Sequence, residues 1–567
     1  MNNVFASLRH IMSAANVIHI VWCASVLLVM LILAVLHHIW RDDTKKLSLW
    51  RLLCLIPILI CGVHFWLNVV GAVYLLDSYY TLYAIPVLSL IPMLFAKRRI
   101  GYRITAVLTG ILSCLSALSF CLTSPNFFNH SQESYTGSFH SLVKDMDKHY
   151  ILKEWKGVDF TALEAKYMPM VEIAEKEQDP YKFAEAVTLF CNEMHDGHIY
   201  AYTDFVSDIR DYGFAAVKLD NGDVIAVCTS DEVHKLGIED GTIITKWNGK
   251  PVLQAAAEDV PDLGIPVNTN EQMIDVMNLG LAGGDTVEVS FIDENCKENA
   301  VTVTDKGGAK TKTEAFAAFR GLELPADEEK RSKQNFSTKM LDDKCGYLIL
   351  NAEETDDSLQ DTWAYLSGEH KRAKEMFREK LRDLKSQGME YLVIDLRNNH
   401  GGLDVIGYAL CDLLTDREWY CQGLGVRIDG RYVSQCDQYI HGDGEFADLK
   451  VIALTNYECA SAGDGTSLLL SKLPNVTLAG ITDPCGCDQE TGGISVLTGS
   501  MICVGYPTGL VLNEDGEPNV DTSADRISRD PVEVRIPFDY DAAMKIFRDN
   551  DDYELDWAVK YIEDNAG

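Results

Sequence analysis

Hydrophobic positions fall into distinct regimes along the chain. Over residues 1–125 long apolar runs recur: "VIHIVWCASVLLVMLILAVL" at 17–36, "LLCLIPILICGVHFWLNVVGAVYLL" at 52–76, the shorter "YAIPVLSLIPMLFA" at 83–96 and "ITAVLTGILSCLSALSFCL" at 104–122. A spanning helix needs about 20 apolar residues, so this pattern predicts a lipid-bilayer region, 1–125, with about four transmembrane helices. Arg41, Lys45, Lys46 and Arg51 separate the first two runs, and Lys97, Arg98, Arg99 and Arg103 the last two. The positive-inside bias puts both loops in the cytoplasm. Everything after residue 123 is then expected outside it, in an integral, multi-pass membrane protein.

From 135 to 210 the period changes. "SFHSLVKDMDKHY", "FTALEAKYMPMVEIAEK" and "YKFAEAVTLFCNEM" carry apolar residues three and four apart, which predicts a helical cap. Residues 213–305 read as β-rich. "FAAVKLDNGDVIAVC" forms a hairpin with Asn221-Gly222 at its turn, and a helix near 271–280 and the strand "DTVEVSFID" follow. The stretch "GIEDGTIITKWNGKPV" resembles the signature of PDZ domains, which add an extended peptide to a sheet edge. The polar segment 306–336 reads as a linker. Residues 337–567 then alternate strands ("CGYLILN", "YLVIDLR", "KVIALTN", "VTLAG") with helices ("EHKRAKEMFREKLRDLKSQG", "VIGYALCDLL", "GDGTSLLLSKL"). Alternation of that kind implies an α/β core around a mostly parallel sheet.

Charge removes one class of function. Of 50 Lys/Arg and 84 Asp/Glu, all but 9 and 4 lie beyond residue 135, leaving that part at −39. So acidic a surface repels phosphate backbones, and no nucleic acid is expected as a partner. Eleven of the 16 cysteines lie outside the apolar runs, at spacings that make no disulfide framework. Cys485 and Cys487 in "DPCGCD" could supply half a metal site, and His195 with His198 could supply a pair of ligands. Neither has matched partners, so no metal and no cofactor are expected.

The chemistry gathers at two strand ends. In open α/β sheets the site lies beyond the carboxyl ends of the strands, and two of those ends read "DLRNNHGG" (395–402) and "TNYECASAGD" (455–464). Ser461 stands at a strand-to-helix turn of small residues. There a hydroxyl is exposed and helix N-terminal amides can hold developing negative charge. The competing reading is a turn serine that merely caps the helix. Asp464, three residues on, shares its helix face and is a further catalytic candidate.

Three motifs, in this order, resemble the carboxyl-terminal processing (tail-specific) protease family and its tricorn-like branch. "DGH" (196–198) looks like that family's "DGHT", "YLVIDLRNNHGG" (391–402) is close to its strand and glycine loop, and "TNYECASAGDG" is similar to its nucleophile turn. The resemblance implies a ClpP/crotonase-like protease core with a helical cap and an inserted PDZ domain. It implies a serine endopeptidase acting on extracytoplasmic unfolded or C-terminal segments, and a bacterial plasma membrane as the setting. By the same resemblance Ser461 is the nucleophile, and the oxyanion hole uses the Ala462 amide with that of Gly401 or Gly402. Many members place a catalytic lysine about 25 residues after the serine. Here that region reads "GITDPCGCDQ", and no lysine occurs from 473 to 544. The tricorn-like branch instead uses a histidine, which His198 matches, with an acid that Asp521 (or Asp525) would supply. Gly197 departs from that branch, which has serine there. The alternative function is a pseudoprotease that binds peptides or acts as a scaffold.

Overall fold

The computed structural model describes residues 126–203, 210–258, 284–308, 310–319, 336–354, 370–428, 430–498, 502–519 and 531–565, with scattered residues between 25 and 59. The chain divides into two compact units. One comprises residues 1–150, 159–178 and 491–508; the other comprises 151–158, 179–490 and 509–567.

In the first unit, helices Tyr135–His149 and Phe160–Glu177 follow the predicted period. Each begins at a residue whose side chain accepts from a first-turn amide, Ser134 from Gly137 and Asp159 from Ala162. Phe139, Leu142, Val143 and Met146 form the buried face of the first. Strand Asn126–Asn129 runs parallel to Thr491–Val496, which is antiparallel to Ile502–Pro507.

The membrane expectation is corrected. Among the described residues no helix is long and apolar enough to cross a membrane. Helix Thr44–Leu53 has 10 residues and carries Lys45, Lys46 and Arg51. At 1.5 Å per residue it spans about 15 Å, half the roughly 30 Å of a hydrocarbon core. The runs at 83–96 and 104–122 lie outside the described residues, as does most of those at 17–36 and 52–76. The four-helix transmembrane region and the multi-pass localisation are therefore not supported by any described helix.

The second unit holds the α/β core, whose elements are numbered here within that core. Strands β1 (Phe336–Met340), β2 (Cys345–Leu350), β3 (Tyr391–Asp395), β4 (Lys450–Leu454), β5 (Val476–Gly480) and β6 (Val534–Arg535) lie side by side in that order. Pairs β2–β3, β3–β4, β4–β5 and β5–β6 are parallel, whereas β1–β2 is antiparallel. Alternate residues feed two hydrophobic clusters. Leu392, Ile394 and Ala453 join one with Phe377 and Leu381, and Val393, Ile452 and Leu454 join the other with Phe538 and Phe547. Apolar residues thus serve both faces, which is why these strands read as continuous runs. Helices α2 (Lys371–Ser386), α3 (Asp404–Leu413) and α4 (Ala462–Ser471) contribute to the first cluster, and α5 (Tyr540–Phe547) and α6 (Tyr553–Asp564) to the second.

The core sheet is mostly parallel as expected, but the fold class as a whole is corrected, to mixed sheets. A three-stranded sheet of Arg431–Ile440, Trp419–Ile428 and Leu510–Leu512 is antiparallel throughout. So is the sheet Lys250–Pro251, Ile244–Trp247, Thr286–Ile292, Glu298–Thr304 in the β-rich segment. The predicted hairpin is present, with Ala215–Lys218 paired to Val224–Val227 and Gly222 at φ +88°. The helix expected near 271–280 lies outside the described residues. Inside the expected linker a helix forms instead: α1 (Lys310–Phe319) buries Ala315 and Phe319 in the second cluster.

Candidate active site

The site is built at the carboxyl ends of β3 and β4. After β4 the chain turns through residues 455–460 into α4, and Ser461 adopts φ +57°, ψ −129° at the helix start. A non-glycine residue held at positive φ costs on the order of 1–3 kcal/mol and persists only where its surroundings enforce it. Here the Ser461 amide donates to the Cys487 carbonyl (2.7 Å), and the Ser461 carbonyl accepts from Gly465 (3.1 Å). The side chain makes no capping hydrogen bond. Its hydroxyl is not spent on the helix end, which weakens the capping interpretation.

The loop after β3 lies directly against this turn. The Ala460 amide donates to the Asn399 carbonyl (2.9 Å), and Asn398 and Asn456 exchange bonds, backbone to Oδ1 at 3.1 Å and Nδ2 to Oδ1 at 3.3 Å. Gly401, at φ +89°, comes so close that a Cβ there would stand 2.6 Å from the Ser461 Cβ and 2.8 Å from the Ala462 nitrogen. Only glycine fits. The two glycine amides differ: Gly401 N–H donates to Asn399 Oδ1 (2.9 Å), and Gly402, at φ +139°, is exposed where Gly401 is buried. Arg397 anchors the start of the loop. Its guanidinium pairs with Asp395 (2.7 Å), Asp552 (2.7 Å) and Glu554 (3.3 Å), tying the strand end to the α6 start.

The "DGH" segment meets the same turn through cysteine. A Cβ on Gly197 would lie 2.6 Å from Cys485 Sγ and 2.9 Å from Cys487 Sγ. Cys487 is also the residue whose carbonyl holds Ser461. His198 is set by an Asx turn, its amide donating to Asp196 Oδ1 (2.9 Å). Its ring is hydrogen-bonded to the Gln489 backbone, and burial holds its pKa below the ordinary 6.5. Its Nδ1 is buried and has no partner among the described residues. Asp464 Oδ2 accepts from the Cys487 amide (2.8 Å). It pins the segment that pins Ser461. Asp521 and Asp525 lie outside the described residues. Gly486, standing where a catalytic lysine would come, has φ +75°, backbone suited to glycine. Among the described residues no group of three or more His, Cys, Asp or Glu could hold a metal ion.

Residues 345–523 match the model of Peptidase family S41. That segment of the chain is similar to S41 peptidases. The matched segment includes the glycine loop, Ser461 and Asp464 but not His198, and S41 peptidases are serine proteases. The fold is similar to that of mature CPAF, at 14% identity and a TM-score of 0.51, over 75% of this chain and 96% of that one. Mature CPAF complexed with lactacystin is similar at 15% identity and a TM-score of 0.50, over 76% and 97%. The photosystem II D1 C-terminal processing protease matches over 74% and 98% at 14% identity, with a TM-score of 0.33. No curated protein matches this chain.

Sequence reasoning missed three residues beside this candidate site: Glu353, Asn399 and Thr466. All are fully buried, and Asn399 and Thr466 both donate to Glu353 behind the glycine loop. A carboxyl residue three positions past the apolar strand β2, in "YLILNAE", was the available signal.

Proposed function

We propose that this chain is a serine endopeptidase that cuts unfolded or C-terminal protein segments through an acyl-enzyme at Ser461. The supporting observation is the uncapped Ser461, held at φ +57° against the glycine loop. His198 takes the Ser461 proton as Oγ attacks the scissile carbonyl carbon. The resulting oxyanion is held by the amides of Ala462 and Gly402, because the Gly401 amide is engaged by Asn399. The imidazolium then protonates the leaving amine, and water releases the acyl group by the same path in reverse. Burial keeps His198 neutral near pH 7, the form a base needs. With the other ring nitrogen donating to Gln489, Nδ1, which has no partner among the described residues, is the basic nitrogen, and Asp521, ahead of Asp525, is the candidate acid that would stabilise the imidazolium. The PDZ-like segment 213–305 would present the peptide.

A second reading has one observation in its favour. Among the described residues no hydrogen bond joins Ser461 to the His198 ring, which bonds Gln489 instead. That arrangement suits a peptide-binding pseudoprotease. Labelling of the full chain by a fluorophosphonate separates the two. The peptidase reading expects labelling that rises with pH through a midpoint below 6.5. It expects Ser461→Ala to abolish labelling, and His198→Ala and Asp521→Asn to lower the rate at least about 100-fold. A folded wild type that never labels, or a His198→Ala protein that labels normally, would overturn the mechanism.

A further inference from the structure

The carboxyl group of Glu353 occupies a position that neither the family match nor the proposed mechanism uses. Glu353 follows β2 and is 0% exposed. Its main chain grips the glycine loop on both sides: its amide donates to the Gly401 carbonyl and its carbonyl accepts from the Leu403 amide, each at 2.9 Å. Its side chain reaches further. Oε1 accepts from Asn399 Nδ2 (3.2 Å) and from Thr466 Oγ1 (2.9 Å). Asn399 in turn accepts from the Gly401 amide, and Thr466 lies on α4, one turn beyond Ser461. One carboxyl therefore joins the loop that carries Gly402 to the helix that carries Ala462.

Space around it is set for this bridge alone. A Cβ on Gly407 would fall 1.8 Å from Thr466 Oγ1 and 2.9 Å from Glu353 Oε1, so α3 approaches only because that residue is glycine. We propose that Glu353 is a positioning residue that locks the glycine loop to the nucleophile helix and so fixes the oxyanion-binding amides relative to Ser461. This role rests on the serine-peptidase reading.

The groups that face Glu353 are Asn399 from the loop, Asp404, the Gly407 amide and Cys411 from α3, Cys459 from the nucleophile turn, and Thr466 from α4. None is cationic. Burial pushes the carboxyl up to about 8, so it is neutral at pH 7. Its Oε2 is buried and has no partner among the described residues. Ionisation above that pH would set an uncompensated charge behind the amides that must hold an oxyanion. Activity carried by the neutral bridge is therefore present below about pH 8 and falls above it.

The test compares the full chain with Glu353→Ala, Glu353→Gln and Thr466→Val, using fluorophosphonate labelling and kcat and KM on an unstructured peptide, from pH 6 to 10. A misplacement of about 1 Å can cost about 100-fold. Glu353→Ala should lower kcat by about that factor with KM within about threefold, and Thr466→Val should act in the same direction. Glu353→Gln keeps the accepting oxygen without the ionisation. It should recover most of the rate and stay level where the wild type falls above pH 8. Wild-type kcat in Glu353→Ala overturns the role. If that variant does not fold, a Glu353→Gln protein with the wild-type alkaline fall overturns it, as does a fully active Thr466→Val. A wild type that does not label at all overturns the peptidase reading, and this role with it.

Discussion

At the scale of single residues, steric exclusion explains the glycine at 197. Gly197 has no room for a side chain, and the reason lies in two sulfurs. Cys485 and Cys487 occupy the volume a side chain would need, with their Sγ atoms 3.3 Å apart. Gly197→Ser should therefore lower the melting temperature and slow Ser461 labelling. Gly197→Ser with Cys485→Ala should regain part of both, because the nearer sulfur is gone. Equal melting temperatures for the single variant and the wild type would refute this packing account. The strain at Ser461 has the same local logic. Its amide bond to Cys487 and the close approach of Gly401 hold a conformation that serine alone would avoid.

At the scale of elements, the nucleophile turn is supported from both faces of the core sheet. On one face α3 and α4 pack beneath it. On the other, α1 inserts Phe319 between the turn and the C-terminal helices. Its ring stacks on Tyr457 at 6.0 Å and meets Phe538 at 5.8 Å and Phe547 at 6.4 Å. Phe319 is 2% exposed, so Phe319→Ala leaves a cavity and should cost about 3–5 kcal/mol, read as a lower urea midpoint. Tyr457 is four residues before Ser461, so labelling should slow in the folded variant as well. A urea midpoint equal to that of the wild type would show that α1 is not part of the core.

At the scale of the whole molecule, buried ionisable groups couple folding to pH. Glu353 ordinarily titrates near 4.5 and in the fold near 8. Below the lower value both states hold the proton and the group contributes nothing. Between the two values the unfolded chain has lost it while the folded chain keeps it, so stability falls as pH rises and the loss is complete above about 8. His198 works the other way, because its lowered pKa makes stability rise with pH up to about 6.5. Across pH 6.5 to 8 the carboxyl therefore dominates between these two. The urea midpoint of the wild type should drop more over that interval than that of Glu353→Gln. Parallel curves would show that Glu353 is ionised throughout.

The sequence by itself determined what depends on near neighbours. Apolar periods marked the cap helices and the alternating core, an Asn-Gly pair marked the hairpin, and three short motifs marked Ser461, the glycine loop and His198. Apolar length predicted spanning helices in residues 1–125, and among the described residues no helix is long and apolar enough to cross a membrane, Thr44–Leu53 being neither long nor uncharged. The polar stretch holding α1 likewise reads as linker until Phe319 finds its distant aromatic partners. Tertiary structure alone decided which glycine amide is engaged, what Asp464 holds, and where Glu353 acts. Glu353 is 46 residues from Asn399 and 113 from Thr466. A carboxyl that bridges such distances leaves no local period, because its meaning comes from the burial and partners that folding supplies.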